Sequence, residues 1–127
     1  MRNIVLVWIG GGFGAVLRYL LSGFAQQTAG ATLFPVGTVV VNVIGCFAAG
    51  VLSQLAEDHG LFKAGMRTFL FVGVLGGFTT FSAFANETIN LFRQSETMPA
   101  GLNIGLHILL CLGAVWAGRA FAYLVWR

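Results

Sequence analysis

Gly73-Val74-Leu75-Gly76-Gly77-Phe78-Thr79-Thr80-Phe81-Ser82-Ala83-Phe84 lies within residues 68 to 86, a segment without a single charged side chain. Three glycines and two β-branched threonines make a poor helix former, yet a charge-free apolar segment of this length is what a membrane crossing needs. Non-helical backbone at membrane depth persists only where it is buried in protein or coordinates something. Carbonyls freed at the C-terminal end of a half-helix are negative and suit a hard monovalent cation. The same glycines, taken as Gly73-x-x-x-Gly77, also suit a close crossing of two helices. From the residues alone, the segment reads equally as an interrupted span or as a tight crossing.

The rest of the chain has the same character. Of its 127 residues 57% are hydrophobic and 9% charged, with 18 Gly, 12 Phe and two Cys. A soluble domain carries roughly a quarter charged residues, so the solvent for this chain is lipid. Disordered, collagen-like and disulfide-scaffold classes are excluded by the high aliphatic and Phe content, the aperiodic glycines and the cysteine count. A net charge of +3, dispersed along the chain, does not make a nucleic-acid surface.

Charge-free stretches run from 3 to 17, 19 to 56, 68 to 86 and 97 to 118. The second holds 38 residues, enough for the end of one crossing, a turn and most of another at about 20 residues per crossing. Four helices are expected, at Ile4 to Phe24, Pro35 to Ala56, Arg67 to Leu91 and Gly101 to Val125, forming one membrane domain over residues 1–127. Arg2 ahead of an apolar run and Gly23-Phe24-Ala25 suggest a signal peptide, but Arg18 and Tyr19 interrupt that run. An even number of crossings gathers Arg2, Lys63, Arg67, Arg119 and Arg127 on one side against Arg18 and Arg93 on the other, a modest cytoplasmic bias for the termini.

Polar residues inside the spans carry the functional information, because each needs a partner there. Thr38, Asn42, Gly45, Ala49 and Ser53 recur at helical spacing on one face, as do Asn103, His107, Cys111, Ala114 and Gly118. Each stripe reads as a helix-packing face, and His107 as a hydrogen-bonding member of its stripe. Past the glycines, Phe81, Phe84 and Thr88 form one line, Ser82, Asn86 and Asn90 a second, and Thr80, Phe84 and Glu87 a third. A lipid-facing helix cannot be polar all round, so part of this one borders water or a polar pathway. A phenyl ring has a positive edge, and two such edges turned toward a path favour a small anion without trapping it. Neither the cysteines nor the histidines have metal-ligand spacing.

Gly10-Gly11-Gly12-Phe13-Gly14 with Arg18-Tyr19, Gly37-Thr38 with Val41-Asn42-x-x-Gly45, and Gly76-Gly77-Phe78-Thr79-Thr80-Phe81-Ser82-Ala83-Phe84 occur in that order. Together they resemble the Fluc (CrcB) family of bacterial fluoride channels over the whole chain. The resemblance implies an all-α integral membrane protein of four transmembrane helices with the third broken, assembled as an antiparallel, dual-topology homodimer. It implies two fluoride pores lined by Phe81 and Phe84, with Asn42 and Ser82 as donors. Thr38 belongs to the same path, Arg18 to a vestibule, and Glu87 to the acidic position after the second Phe. His107 and Cys111 would correspond to the polar track of the fourth helix, where Cys111 and Val115 stand in place of the usual hydroxyl residues. A structural, untransported sodium ion would be held by the backbone carbonyls of Gly76 and Thr79 of both subunits.

The expected function is passive fluoride export through the bacterial cytoplasmic (inner) membrane, lowering internal toxicity and catalysing no reaction. The competing expectations are a small dual-topology, proton-coupled multidrug exporter that would use Glu87, and a purely structural membrane subunit.

Overall fold

A computed structural model describes residues 1–58, 60 and 62–126. His59, Leu61 and Arg127 lie outside the described residues, and with them the histidine of the second loop and the last arginine counted toward orientation. The described chain is helical: α1 (Arg2–Ala29), α2 (Val36–Asp58), α3 (residues 64–78), α4 (Phe81–Arg93) and α5 (Thr97–Val125). With α3 and α4 counted as one broken span, four helices are long and apolar enough to cross a membrane. Each expected crossing is present; the first and third run past both expected ends, the second past its C-terminal end and the fourth past its N-terminal end.

The extensions have local causes. Residues 25 to 29, expected as loop, continue α1, and the turn begins only at Gly30, whose φ of 81° suits glycine. Gln26 holds this end in place: its Nε2 donates to the Phe34 carbonyl at 3.1 Å, and its Oε1 accepts from the Gly37 amide at 3.1 Å. That amide belongs to the first turn of α2, where no helical carbonyl is available, so a glutamine from the preceding helix supplies the cap. α5 starts at Thr97 rather than Gly101, because Pro99 falls in the first turn, where a missing N–H costs nothing.

The third span corrects the sequence reading in detail. All three glycines are helical: Gly73 within a π-helical portion, Thr68–Leu75, and Gly76 and Gly77 in the turn that follows. The extended residues are the threonines, Thr79 with φ −84° and ψ 156° and Thr80 with φ −150° and ψ 112°. β-branched residues adopt extended backbone readily. Gly73 and Gly77 instead serve the close crossing: added Cβ atoms there would collide with the Gly10 and Gly11 backbone, just as Cβ atoms on Gly10 and Gly14 would strike the backbone of α3. Both sequence readings therefore hold at once, on different residues. Gly76 is exposed, and a Cβ there would meet only the Phe71 carbonyl at 3.7 Å.

The second crossing uses the same device. Gly50 packs on the Val115 carbonyl of α5, and Gly118 packs on the Phe47 carbonyl of α2. In a membrane, where burying apolar surface gains nothing over lipid, such backbone contact supplies the packing. Few side chains are buried, and Thr38, Asn42, Thr88, Asn103 and His107 are among them, while Trp8, Leu109 and Trp116 face outward. At one end of this pair Arg119 makes a two-pronged contact with Glu57, 2.8 Å on each side, and reaches Gln54 at 3.3 Å.

Substituting Gly14 by Ala should therefore lower stability by about 1–3 kcal/mol, the range for overpacking, since rigid backbone is what it meets. Gly12, which meets nothing within the chain, should tolerate Ala and gain slightly in helix propensity. Thermal unfolding in detergent, read against monodisperse yield, compares the two; equal behaviour would refute the glycine crossing.

Candidate functional site

The site is organised by the interruption at Thr79–Thr80. α3 ends on the Leu75 carbonyl, which accepts both the Thr79 amide at 2.9 Å and the Thr79 hydroxyl at 3.0 Å. Thr80 starts α4 as its N-cap, its Oγ1 accepting from the Ala83 amide at 3.1 Å, a cap type that contributes roughly 0.5–2 kcal/mol. Across the gap Asn42 of α2 pairs with both backbone groups of Thr80: its Nδ2 donates to the carbonyl at 3.0 Å, and its Oδ1 accepts from the amide at 2.8 Å. A side-chain amide thus replaces the missing helical partners. Gly45, one turn further along α2, brings that helix against Thr79 and Phe78.

This bracing leaves two carbonyls without their helical donors. The Thr80 amide, which a continuous helix would send to Gly76, goes to Asn42. The Ala83 amide, which would go to Thr79, goes to the Thr80 hydroxyl. Neutral carbonyl oxygens freed in this way are ligands of the kind that alkali cations take in proteins. Among the described residues no three His, Cys, Asp or Glu side chains gather as a ligand set.

Two clefts flank the break, and Thr80 lines both. The first, about 450 Å³, is walled by Asn42, Thr79, Phe81, Phe84, His107 and Cys111. The Phe81 and Phe84 rings lie 5.3 Å apart at 59°, and Phe84 lies 4.3 Å from the His107 ring at 38°. The second, about 530 Å³, holds Arg18, Thr38 and Glu87. There the Thr38 hydroxyl donates to Glu87 Oε1 at 2.7 Å. The residues singled out in the sequence therefore separate into an aromatic cleft and a charged one. Ser82 lies in neither wall; it is exposed, 3.3 Å from the Thr80 hydroxyl.

A polar ladder joins α4 to α5. The Thr88 hydroxyl donates to the Phe84 carbonyl at 2.7 Å, Asn103 Nδ2 donates to Thr88 Oγ1 at 2.9 Å, and His107 Nδ1 lies 3.0 Å from the Asn103 carbonyl. Glu87 Oε2, Asn103 Oδ1 and His107 Nε2 are buried without partners. Leaving such a group unpaired costs about 1–3 kcal/mol, so each of the three has hydrogen-bonding capacity that the described residues leave unused. Thr80 as pivot and the Thr88–Asn103 rung went unassigned in the sequence reading. The threonine preceding a helix was the available signal for Thr80, whereas the rung depends on how α4 meets α5.

The family model for CrcB-like protein, Camphor Resistance (CrcB), matches residues 5–119. A protein of Methylocella silvestris named fluoride-specific ion channel FluC is 44% identical over 119 residues, covering 91% of this chain and 89% of that one. The equivalent from Shewanella amazonensis is 44% identical over 123 residues, 97% of this chain and 98% of the relative. An archaeal relative, fluoride-specific ion channel FluC 1 of Methanosarcina acetivorans, is 43% identical over 122 residues, 96% and 92% of the two chains. With the match spanning all four crossings and both sides of the break, this chain belongs to the CrcB family.

Proposed function

We propose that this protein is a fluoride-specific ion channel that lets fluoride leave the cell passively and so limits its toxicity. It is not an enzyme. The observation that carries the reading is end-to-end similarity to relatives named fluoride-specific ion channels, and the clefts at the break give it a physical form. Fluoride is small and strongly hydrated, so a wall must replace its water with close, weakly charged donors. Phe81 and Phe84 offer ring edges, Asn42 retains one Nδ2 hydrogen beyond its bond to Thr80, and Arg18 attracts anions into the charged cleft. Arg18 beside Glu87 also opposes a cationic drug, which weighs against a proton-coupled exporter.

The working unit on this reading is an antiparallel homodimer of dual topology in the bacterial inner membrane. Support comes from what a single chain leaves bare: Phe81 is 78% exposed, and Ser82, Asn86 and Asn90 are exposed on an element at membrane depth, where lipid offers them no partner. A second copy would bring two breaks together, and the Gly76 and Thr79 carbonyls of both would hold one structural sodium ion. That ion supplies only charge compensation for carbonyl dipoles. The slight Lys/Arg bias opposes equal insertion in both orientations.

Purified protein in potassium-clamped liposomes should pass fluoride with or without a proton ionophore and discriminate strongly against chloride. Comparable chloride flux, or dependence on a proton gradient, overturns the reading.

Phe81→Ala and Phe84→Ala should each reduce flux per folded dimer far more than dimer yield. Were the rings only packing, the loss would fall on stability instead, by about 3–5 kcal/mol in a well-packed core. Asn42→Asp, which puts an anion beside the path and sets oxygen against the Thr80 carbonyl, should abolish flux.

Replacing sodium by a large organic cation should weaken the dimer or stop fluoride flux, while sodium itself shows no flux. Thr79→Ala should change little, since only its backbone binds, and Gly76→Val, whose added side chain has room within one chain, should be severe by crowding the second copy and the ion between them. Unchanged flux and dimer stability after exhaustive sodium removal would discard the ion site.

A further inference from the structure

Two residues in the aromatic cleft have chemistry that anion conduction does not use. Cys46 of α2 and Cys111 of α5 are both free thiols, both line the cleft beside Phe84, and their helices are locked together by the Gly50 and Gly118 backbone contacts one to two turns further along. One turn before Cys111, His107 lines the same cleft. The pair therefore brings two soft sulfur donors from different helices together at an accessible wall.

The number of donors restricts the ligand. Structural zinc takes four ligands, and no third His, Cys, Asp or Glu side chain completes a set among the described residues. Soft thiolates select soft ions, and the d10 ions Cu⁺, Ag⁺ and Hg²⁺ are satisfied by two sulfurs in line. Charge points the same way. A lone thiolate is disfavoured in a cleft with few water contacts, but two thiolates on a divalent ion form a neutral unit.

We propose that Cys46 and Cys111 form a binding site for a soft, two-coordinate d10 cation, and that its occupancy stops conduction through the aromatic cleft. The second half rests on the channel reading above. On binding, each Sγ–H gives its proton to water, two sulfur–metal bonds form, and no electrons are exchanged. The bound ion ties α2 to α5 and sits beside Phe84 and His107, where the proposed path needs a free, weakly charged wall.

Mercuric ion is the probe, applied to the reconstituted protein with two readouts: metal bound per chain with maleimide labelling of the remaining thiols, and fluoride flux. The expected result is one mercury per chain, both thiols protected, flux lost, and flux restored by excess dithiothreitol, while zinc at the same concentration has no effect. Whatever basal flux Cys46→Ala retains should escape the block; Cys111→Ala should lose the stoichiometric binding. No mercury, or two per chain on separate thiols, overturns the site even if a variant fails to fold, because the native protein is read directly. One mercury per chain with undiminished flux overturns the block. Absence of flux before mercury is added overturns the channel reading and the block together, and leaves the site to be decided by stoichiometry.

Discussion

The double hydrogen bond between Asn42 and the backbone of Thr80 is the interaction on which the rest depends. In hydrocarbon an unpaired backbone group costs several kcal/mol, so a helix cannot simply stop at membrane depth. Here it stops because an amide side chain presents a donor and an acceptor at the spacing of a peptide group. The Thr80 hydroxyl then caps the next helix. With both repairs made, the carbonyls of Gly76 and Thr79 are released from their helical partners, and α4 can begin in a new register with its two phenylalanines toward the cleft.

Asn42 is positioned largely by glycines that let helices approach closely. Gly45 lets α2 lie against the break, Gly50 and Gly118 lock α2 to α5, and Gly10 and Gly14 seat α1 on α3. This arrangement inverts the logic of a soluble protein: polar side chains make up much of the small buried set and large apolar ones face outward. At the break itself the glycine of α2, Gly45, leaves room for the Thr79 and Phe78 side chains. A narrow path for a small ion depends on walls held this close.

The unpaired polar atoms complete the account. Glu87 Oε2, Asn103 Oδ1 and His107 Nε2 are held in place by neighbours that satisfy only their other atoms. On the channel reading proposed above, these are groups that water or the passing ion would meet. They lie on α4 and α5, on either side of the aromatic pair, while the exposed Ser82, Asn86 and Asn90 occupy another face of α4. One set suits a path within the chain; the other awaits a covering surface, which the proposed second copy provides.

Charge-free lengths determined four crossings from sequence alone, because lipid penalises every unpaired charge and each crossing needs about 20 residues. The poor helix formers at 73–84 marked that segment as either an interruption or a close crossing, and the motif run carried the family resemblance. The sequence did not apportion that segment between its two uses. Glycines at 73 and 77 were legible as a packing motif or as a break, and only contact with α1 shows that they pack while Thr79 and Thr80 carry the extended backbone. Asn42 was legible as a polar residue needing a partner; that the partner is the Thr80 backbone, 38 residues away, follows from how α2 crosses the break. The separation of Arg18, Thr38 and Glu87 from Phe81, Phe84 and His107 into two clefts, and the placing of Cys46 and Cys111 along one cleft, are tertiary for the same reason. Periodicity places a side chain on a face of its own helix, but which helix lies opposite is decided by the glycine contacts between helices.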